Sequence, residues 1–103
     1  MHKKIYELLN ELNIPVAYDH FNVEQNVTPP FVVYRESSTE TFKADGKVYY
    51  RPTSFEIELI TEKKNIVLEQ TIEELLTKNN IPYDITDEVW DENEKIYHNF
   101  YEI

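Results

Sequence analysis

Ile72-Glu73-Glu74-Leu75-Leu76-Thr77-Lys78-Asn79-Asn80-Ile81-Pro82-Tyr83 writes a helix, its stop and the start of a strand in one short stretch. Ile66, Leu68, Ile72, Leu75 and Leu76 make one apolar stripe, with Glu69, Glu73 and Glu74 outside it, so a helix is expected to about Asn79. Asn80-Ile81-Pro82 stops it, because proline cannot donate to the preceding turn and pushes the residue before it out of the helical region. The same spacing occurs earlier: Ile5, Glu7, Leu8, Leu9, Asn13, Ile14 and Pro15 match Ile72, Glu74, Leu75, Leu76, Asn80, Ile81 and Pro82 at a constant offset. There, Ile5, Leu8, Leu9 and Leu12 predict a helix over His2 to Asn13. Each corner leads into a tyrosine-bearing strand, Val16 to Phe21 after the first and Tyr83 to Glu88 after the second. A corner written twice argues for two helices and one sheet.

Between the corners the signal is β. Asn22 to Pro30 is polar and proline-terminated, hence a loop, and Phe31-Val32-Val33-Tyr34-Arg35-Glu36 follows as a β-branched and aromatic strand. Asp45-Gly46 is a two-residue hairpin turn that uses the only glycine in the chain, since positive φ at both central positions costs glycine nothing and aspartate little. The second arm runs from Lys47 to Ile60, with Thr53, Phe55, Ile57 and Leu59 on a core face and Ser54, Glu56, Glu58 and Ile60 on a mostly wet one. Pro52 cannot donate a ladder bond and marks a bend, bulge or edge, so the tip, Ser37 to Arg51, is expected to project. An acidic turn through Asn93 and a last strand, Glu94 to Glu102, complete the reading. The expectation is a single α+β domain over residues 1–103. It is a mostly antiparallel sheet of four to five strands, with two helices packed on one face and a projecting β-hairpin.

The 103 residues leave room for one modest core. Ten basic against twenty acidic residues give a net charge of −10, which opposes binding to phosphate backbones or anionic membranes, so neither nucleic acid nor membrane is an expected partner. With no cysteine there is no thiolate nucleophile, no thiolate metal site and no sign of an oxidising compartment. The N-terminus lacks the apolar run of a signal peptide, and a cytoplasmic setting is expected. His2, His20 and His98 have none of the spacings that bring imidazoles together on a metal. Ser37, Ser38 and Ser54 lack a nucleophile elbow, and one glycine cannot build a phosphate cradle. His20 beside Asp19 reads as a hydrogen-bonded surface histidine rather than a general base. Asp84, Asp87, Glu88, Asp91, Glu92 and Glu94 lack the spacing of a calcium loop. No catalytic, cofactor or metal residue is assigned, and no enzyme is expected.

Charge is unevenly placed. From residue 69 onward ten carboxylates face only Lys78 and Lys95, whereas Arg35, Lys43, Lys47 and Arg51 gather around the hairpin among Phe42, Tyr49 and Tyr50. A basic aromatic arm and an acidic far end are complementary between neighbouring copies, the arrangement that builds a ring when the rotation closes. The expected protein–protein interface is Phe42, Lys43, Asp45, Gly46, Lys47, Tyr49 and Arg51, with Trp90 either packed beneath the acidic turn or waiting for a partner.

Pro29-Pro30-Phe31-Val32-Val33-Tyr34, Phe42-Lys43-Ala44-Asp45-Gly46-Lys47-Val48-Tyr49, Phe55-Glu56-Ile57-Glu58-Leu59-Ile60-Thr61-Glu62-Lys63-Lys64 and Asn80-Ile81-Pro82-Tyr83 together resemble a family of small phage and prophage tail-module proteins. That family is similar to tail terminator (tail completion) proteins of long-tailed phages and to head-tail joining proteins. The resemblance implies an α+β subunit of a hexameric ring at the tail-head junction of the virion, touching the tail tube and the head connector. It marks the Phe42 to Tyr49 hairpin as a contact and assigns no catalytic residue.

A reading of a different class is an acidic phage-encoded inhibitor that mimics nucleic acid through Asp84 to Glu94, although a mimic is expected to spread its carboxylates along a rod rather than concentrate them near one end.

Overall fold

The computed structural model describes residues 2–37, 41–44, 47–50 and 54–103. In chain order these form α1 (His2–Asn10), β1 (Val16–Tyr18), a 3-10 turn (Val23–Gln25), β2 (Phe31–Glu36), β3 (Thr41–Ala44), β4 (Lys47–Tyr50), β5 (Phe55–Thr61), α2 (Ile66–Lys78), β6 (Asp84–Asp91) and β7 (Ile96–Glu102). The fold is α+β: a five-stranded mixed sheet in the order β1-β2-β5-β7-β6, two helices, and β3-β4 as a separate two-stranded sheet.

Alternation along the strands divides the sheet residues into two sets. Val32 and Tyr34 of β2, Phe55, Ile57 and Leu59 of β5 and Tyr101 of β7 share one buried cluster with Ile5, Leu8, Leu9 and Leu12 at the first corner, and with Ile72, Leu76 and Ile81 at the second. Val32 opposes Leu59, and Tyr34 and Tyr101 both oppose Ile57, so these side chains come from one face. Burying each such side chain contributes roughly 1.5–3 kcal/mol, so the shared cluster joins both helical stripes to this face. Asn65 starts α2 by accepting the Leu68 amide on its side-chain oxygen at 3.0 Å. Asn13 and Asn80 both sit at φ 59°, a left-handed conformation that asparagine tolerates and that turns the chain out of the helix.

Several boundaries differ from the sequence reading: α1 ends at Asn10 rather than about Asn13, where the chain tightens into a turn, and β7 starts at Ile96 rather than Glu94. β1 ends at Tyr18 rather than Phe21, because Asp19 turns left-handed at φ 65° and the chain leaves the sheet. β1 runs parallel to β2, Val16 beside Val32 and Tyr18 beside Tyr34, and a parallel pair needs a crossover of about a dozen residues, the role filled by residues 19–30. The expected continuous arm from Lys47 to Ile60 is two strands in two sheets: β4 pairs with β3, whereas β5 pairs with β2 and β7. Pro52, which prompted the expectation of a bend, lies outside the described residues. The second corner's strand extends to Asp91, so Val89 and Trp90 belong to β6 and not to an acidic turn, their β-propensity and the pairing of Trp90 with Tyr97 outweighing the carboxylates around them. The turn shrinks to residues 92–95, where the Asp91 carboxylate accepts the Asn93 and Glu94 amides at 3.0 and 3.1 Å. Among the described residues no helix is long and apolar enough to cross a membrane.

Candidate functional site

Residues of the opposite parity, Phe31, Val33 and Arg35 of β2, Glu56, Glu58 and Ile60 of β5, and Ile96, His98 and Phe100 of β7, point away from the helix-lined cluster. The crossover from β1 passes along this side, with Phe21 meeting Phe31 edge-on at 5.4 Å between ring centroids. Together they enclose an open concavity of about 670 Å³, walled by Asp19, Phe21 and Val27 and floored by Val33, Ile60 and Ile96. The expected wet face is thus partly dry, since Val33 and Ile60 are 4% and 3% exposed.

Across the concavity runs one chain of charge-assisted hydrogen bonds. Arg35 donates from Nη1 to Glu56 Oε1 at 2.6 Å, from Nη2 to Glu58 Oε1 at 2.8 Å and, more loosely, from Nε to Asp19 Oδ1 at 3.4 Å. The other oxygen of Glu58 meets His98 Nδ1 at 2.5 Å, so the network joins the crossover to β2, β5 and β7. Desolvation works against the charge on Arg35, but its hydrogen bonds to Glu58 and Glu56 prevail and raise its pKa. Asp19 is held below the usual carboxylate range, first by its hydrogen bond from His20 at 2.9 Å and then by the Arg35 charge. Arg35 is therefore committed to carboxylates within the chain. Among the described residues no three His, Asp or Glu side chains are placed to hold a metal.

The residues expected at an interface fall into three groups. Phe42 and Lys43 lie on β3, and Lys47 and Tyr49 on β4, with Phe42 opposite Tyr49 and Ala44 opposite Lys47; their side chains are outside the described part of the structure. Asp45, Gly46 and Arg51 lie outside the described residues altogether. Trp90 is on β6, its ring 4.7 Å from Tyr97, its Nε1 donating to Glu92 Oε2 at 2.6 Å, and it remains 40% exposed. Glu92 is lowered in pKa by the Lys95 ammonium and by this indole bond. Trp90 is thus anchored on one side and open on the other.

β6 itself is an edge. Among the described strands it pairs with β7 alone, seven of its eight residues are exposed, and Ile85, Val89 and Trp90 stand out among Asp84, Asp87, Glu88 and Asp91. Lys64 ties it to the body by bonding both Glu69 at 3.0 Å and Glu88 at 2.5 Å. The sequence reading did not single out the Arg35–Glu58–His98 network; the alternation of Glu56 and Glu58 with apolar residues is the trace it leaves in the sequence, and the register that sets them beside Arg35 emerges only in the fold. No protein-family model and no curated protein matches this chain.

Proposed function

We propose that the chain is a structural subunit of a phage or prophage tail module, a tail terminator (tail completion) or head-tail joining protein that acts by ring-like self-association at the tail-head junction. The observation that carries this reading is that, among the described strands, β3 and β4 pair only with each other, leaving a strand ribbon outside the main sheet. In the proposed assembly both helices cover one side of the sheet and the ribbon reaches out to a neighbour. A radius of gyration of 15.3 Å, above the roughly 13 Å of a compact domain this size, supports a reaching element. Aromatic residues Phe42, Tyr49 and Tyr50 supply contact area, and charge sets register.

Native mass spectrometry of the purified chain, alone and with tail tubes, tests the reading. The expected result is a closed ring of identical subunits or co-sedimentation with the tube; a monomer under both conditions refutes it. The exposed carboxylates of β6 favour a second reading, the nucleic-acid mimic. Salt-sensitive binding to a DNA-processing enzyme, without tube binding, would establish that one instead.

A further inference from the structure

We infer that the acidic edge strand β6 of one subunit receives strand β4 of the next, extending the five-stranded sheet across the subunit boundary. This rests on the self-association reading above and names the surface that the ribbon occupies.

The argument starts from the backbone. An edge strand presents a row of unpaired amide and carbonyl groups, and folded proteins normally shorten, twist or cover such edges. The β1 edge is handled this way: it is three residues long, and Asp19 turns the chain aside directly after it. β6 is eight residues long, exposed along nearly its whole length, and interrupted only by the irregularity between Ile85 and Asp87. Its exposed apolar side chains, Ile85, Val89 and Trp90, lie on both faces of the strand. Such an edge is suited to accept another strand.

Charge then selects the occupant. Two copies of β6 laid edge to edge would bring Asp84, Asp87, Glu88 and Asp91 against the same carboxylates, and like charges across a strand pair are destabilising. A symmetric two-fold contact through this edge is therefore opposed. The incoming strand must be basic and must itself have an open edge. Arg35 is the basic residue of β2, but β2 is paired on both sides and Arg35 is engaged by Glu56 and Glu58. β1, β5 and β7 carry no lysine or arginine. Among the described strands only β3 and β4 combine a basic residue, Lys43 and Lys47, with an edge left open by their two-stranded pairing. β4 is the better match, being Lys47-Val48-Tyr49-Tyr50 followed in sequence by Arg51, rich in residues that favour strands.

The contact is head to tail, because each subunit donates β4 and accepts on β6. A heterologous contact of this kind closes into a ring or runs on as a filament. In a closed ring every long open edge is occupied, which removes the aggregation hazard that β6 presents in the separate chain.

The test compares four proteins by native mass spectrometry at low and moderate salt: wild type, Asp84→Lys with Asp87→Lys, Lys43→Glu with Lys47→Glu, and the chain carrying all four changes. Asp84 and Asp87 are exposed and outside the buried cluster, so circular dichroism and thermal midpoints should match wild type. Each double variant should weaken assembly by about tenfold or more, and the quadruple variant, with both charges exchanged, should recover it. Because the chain has no cysteine, Val48→Cys with Val89→Cys and a short bismaleimide should give a ladder beyond the dimer. Rings that survive both double variants, a quadruple variant that fails to recover, or cross-linking that stops at the dimer overturns the β4–β6 contact while leaving self-association standing. A wild type that stays monomeric both alone and on tail tubes overturns both.

Discussion

The two corners of this molecule begin alike and end differently. Asn13-Ile14-Pro15 and Asn80-Ile81-Pro82 both follow a Leu-Leu stripe, and Asn13 and Asn80 adopt the same φ of 59°. At the first corner the helix tightens before it ends, with i→i−3 bonds from the Glu11, Leu12 and Asn13 amides to Leu8, Leu9 and Asn10. At the second, the Ile81 amide reaches back to the Leu76 carbonyl at 2.9 Å and the Asn79 side chain donates to the Leu75 carbonyl at 2.7 Å. The strands that follow are the two edges of the sheet, a short one parallel to its neighbour and a long one antiparallel. The local motif fixes how the chain leaves a helix. What it pairs with is set by the next connection, twelve residues of crossover in one case and a tight turn in the other.

The largest expected effect tests whether the stripes are equivalent. Leu9 and Leu76 occupy matching places and are 0% and 1% exposed, so Leu9→Ala and Leu76→Ala should each cost about 2–5 kcal/mol in urea denaturation. A difference of several-fold between them would break the parallel. Next come the stops. Asn13→Ala and Asn80→Ala force an alanine into a left-handed conformation and should each lower stability by about 1–2 kcal/mol, whereas Asn→Gly at either site should be nearly neutral. Asn80 should be the more costly, because the Ile81–Leu76 bond depends on it; a larger cost at Asn13 would reverse the ranking.

The smallest effect is a pH dependence. Burial pushes the Tyr101 hydroxyl far up, reinforced by Glu73, which accepts its hydrogen bond at 3.1 Å, and burial also raises Tyr34. Both groups are protonated in the folded and unfolded chain below about pH 10, so their stabilisation is complete there. Above it the unfolded chain ionises first, and stability falls as pH rises toward the folded values. Denaturation between pH 8 and 11 should show this loss, reduced more by Tyr101→Phe than by Tyr34→Phe.

Much of this was legible because local rules decide it. The bounds of β2, Phe31–Glu36, match the expected strand, and α2 starts at Ile66 just after its cap. The errors arose where distant partners decide. Nothing near Val16 announces that it lies beside Val32 in parallel, and Val89 to Asp91 look like part of an acidic turn until Tyr97 is placed opposite Trp90. Ile60 looked wet by alternation with Glu56 and Glu58, yet it is buried on the concave side. The Arg35 network needed four separate segments to meet, a conjunction that no sequence window contains.

Trp90 is the only tryptophan in the chain, half open on β6 and lying against Tyr97. Its emission therefore reports on one small region without any label. Occupation of that strand by a neighbour should move the fluorescence toward the blue and shield it from a soluble quencher, giving a continuous optical readout of subunit docking in unmodified protein.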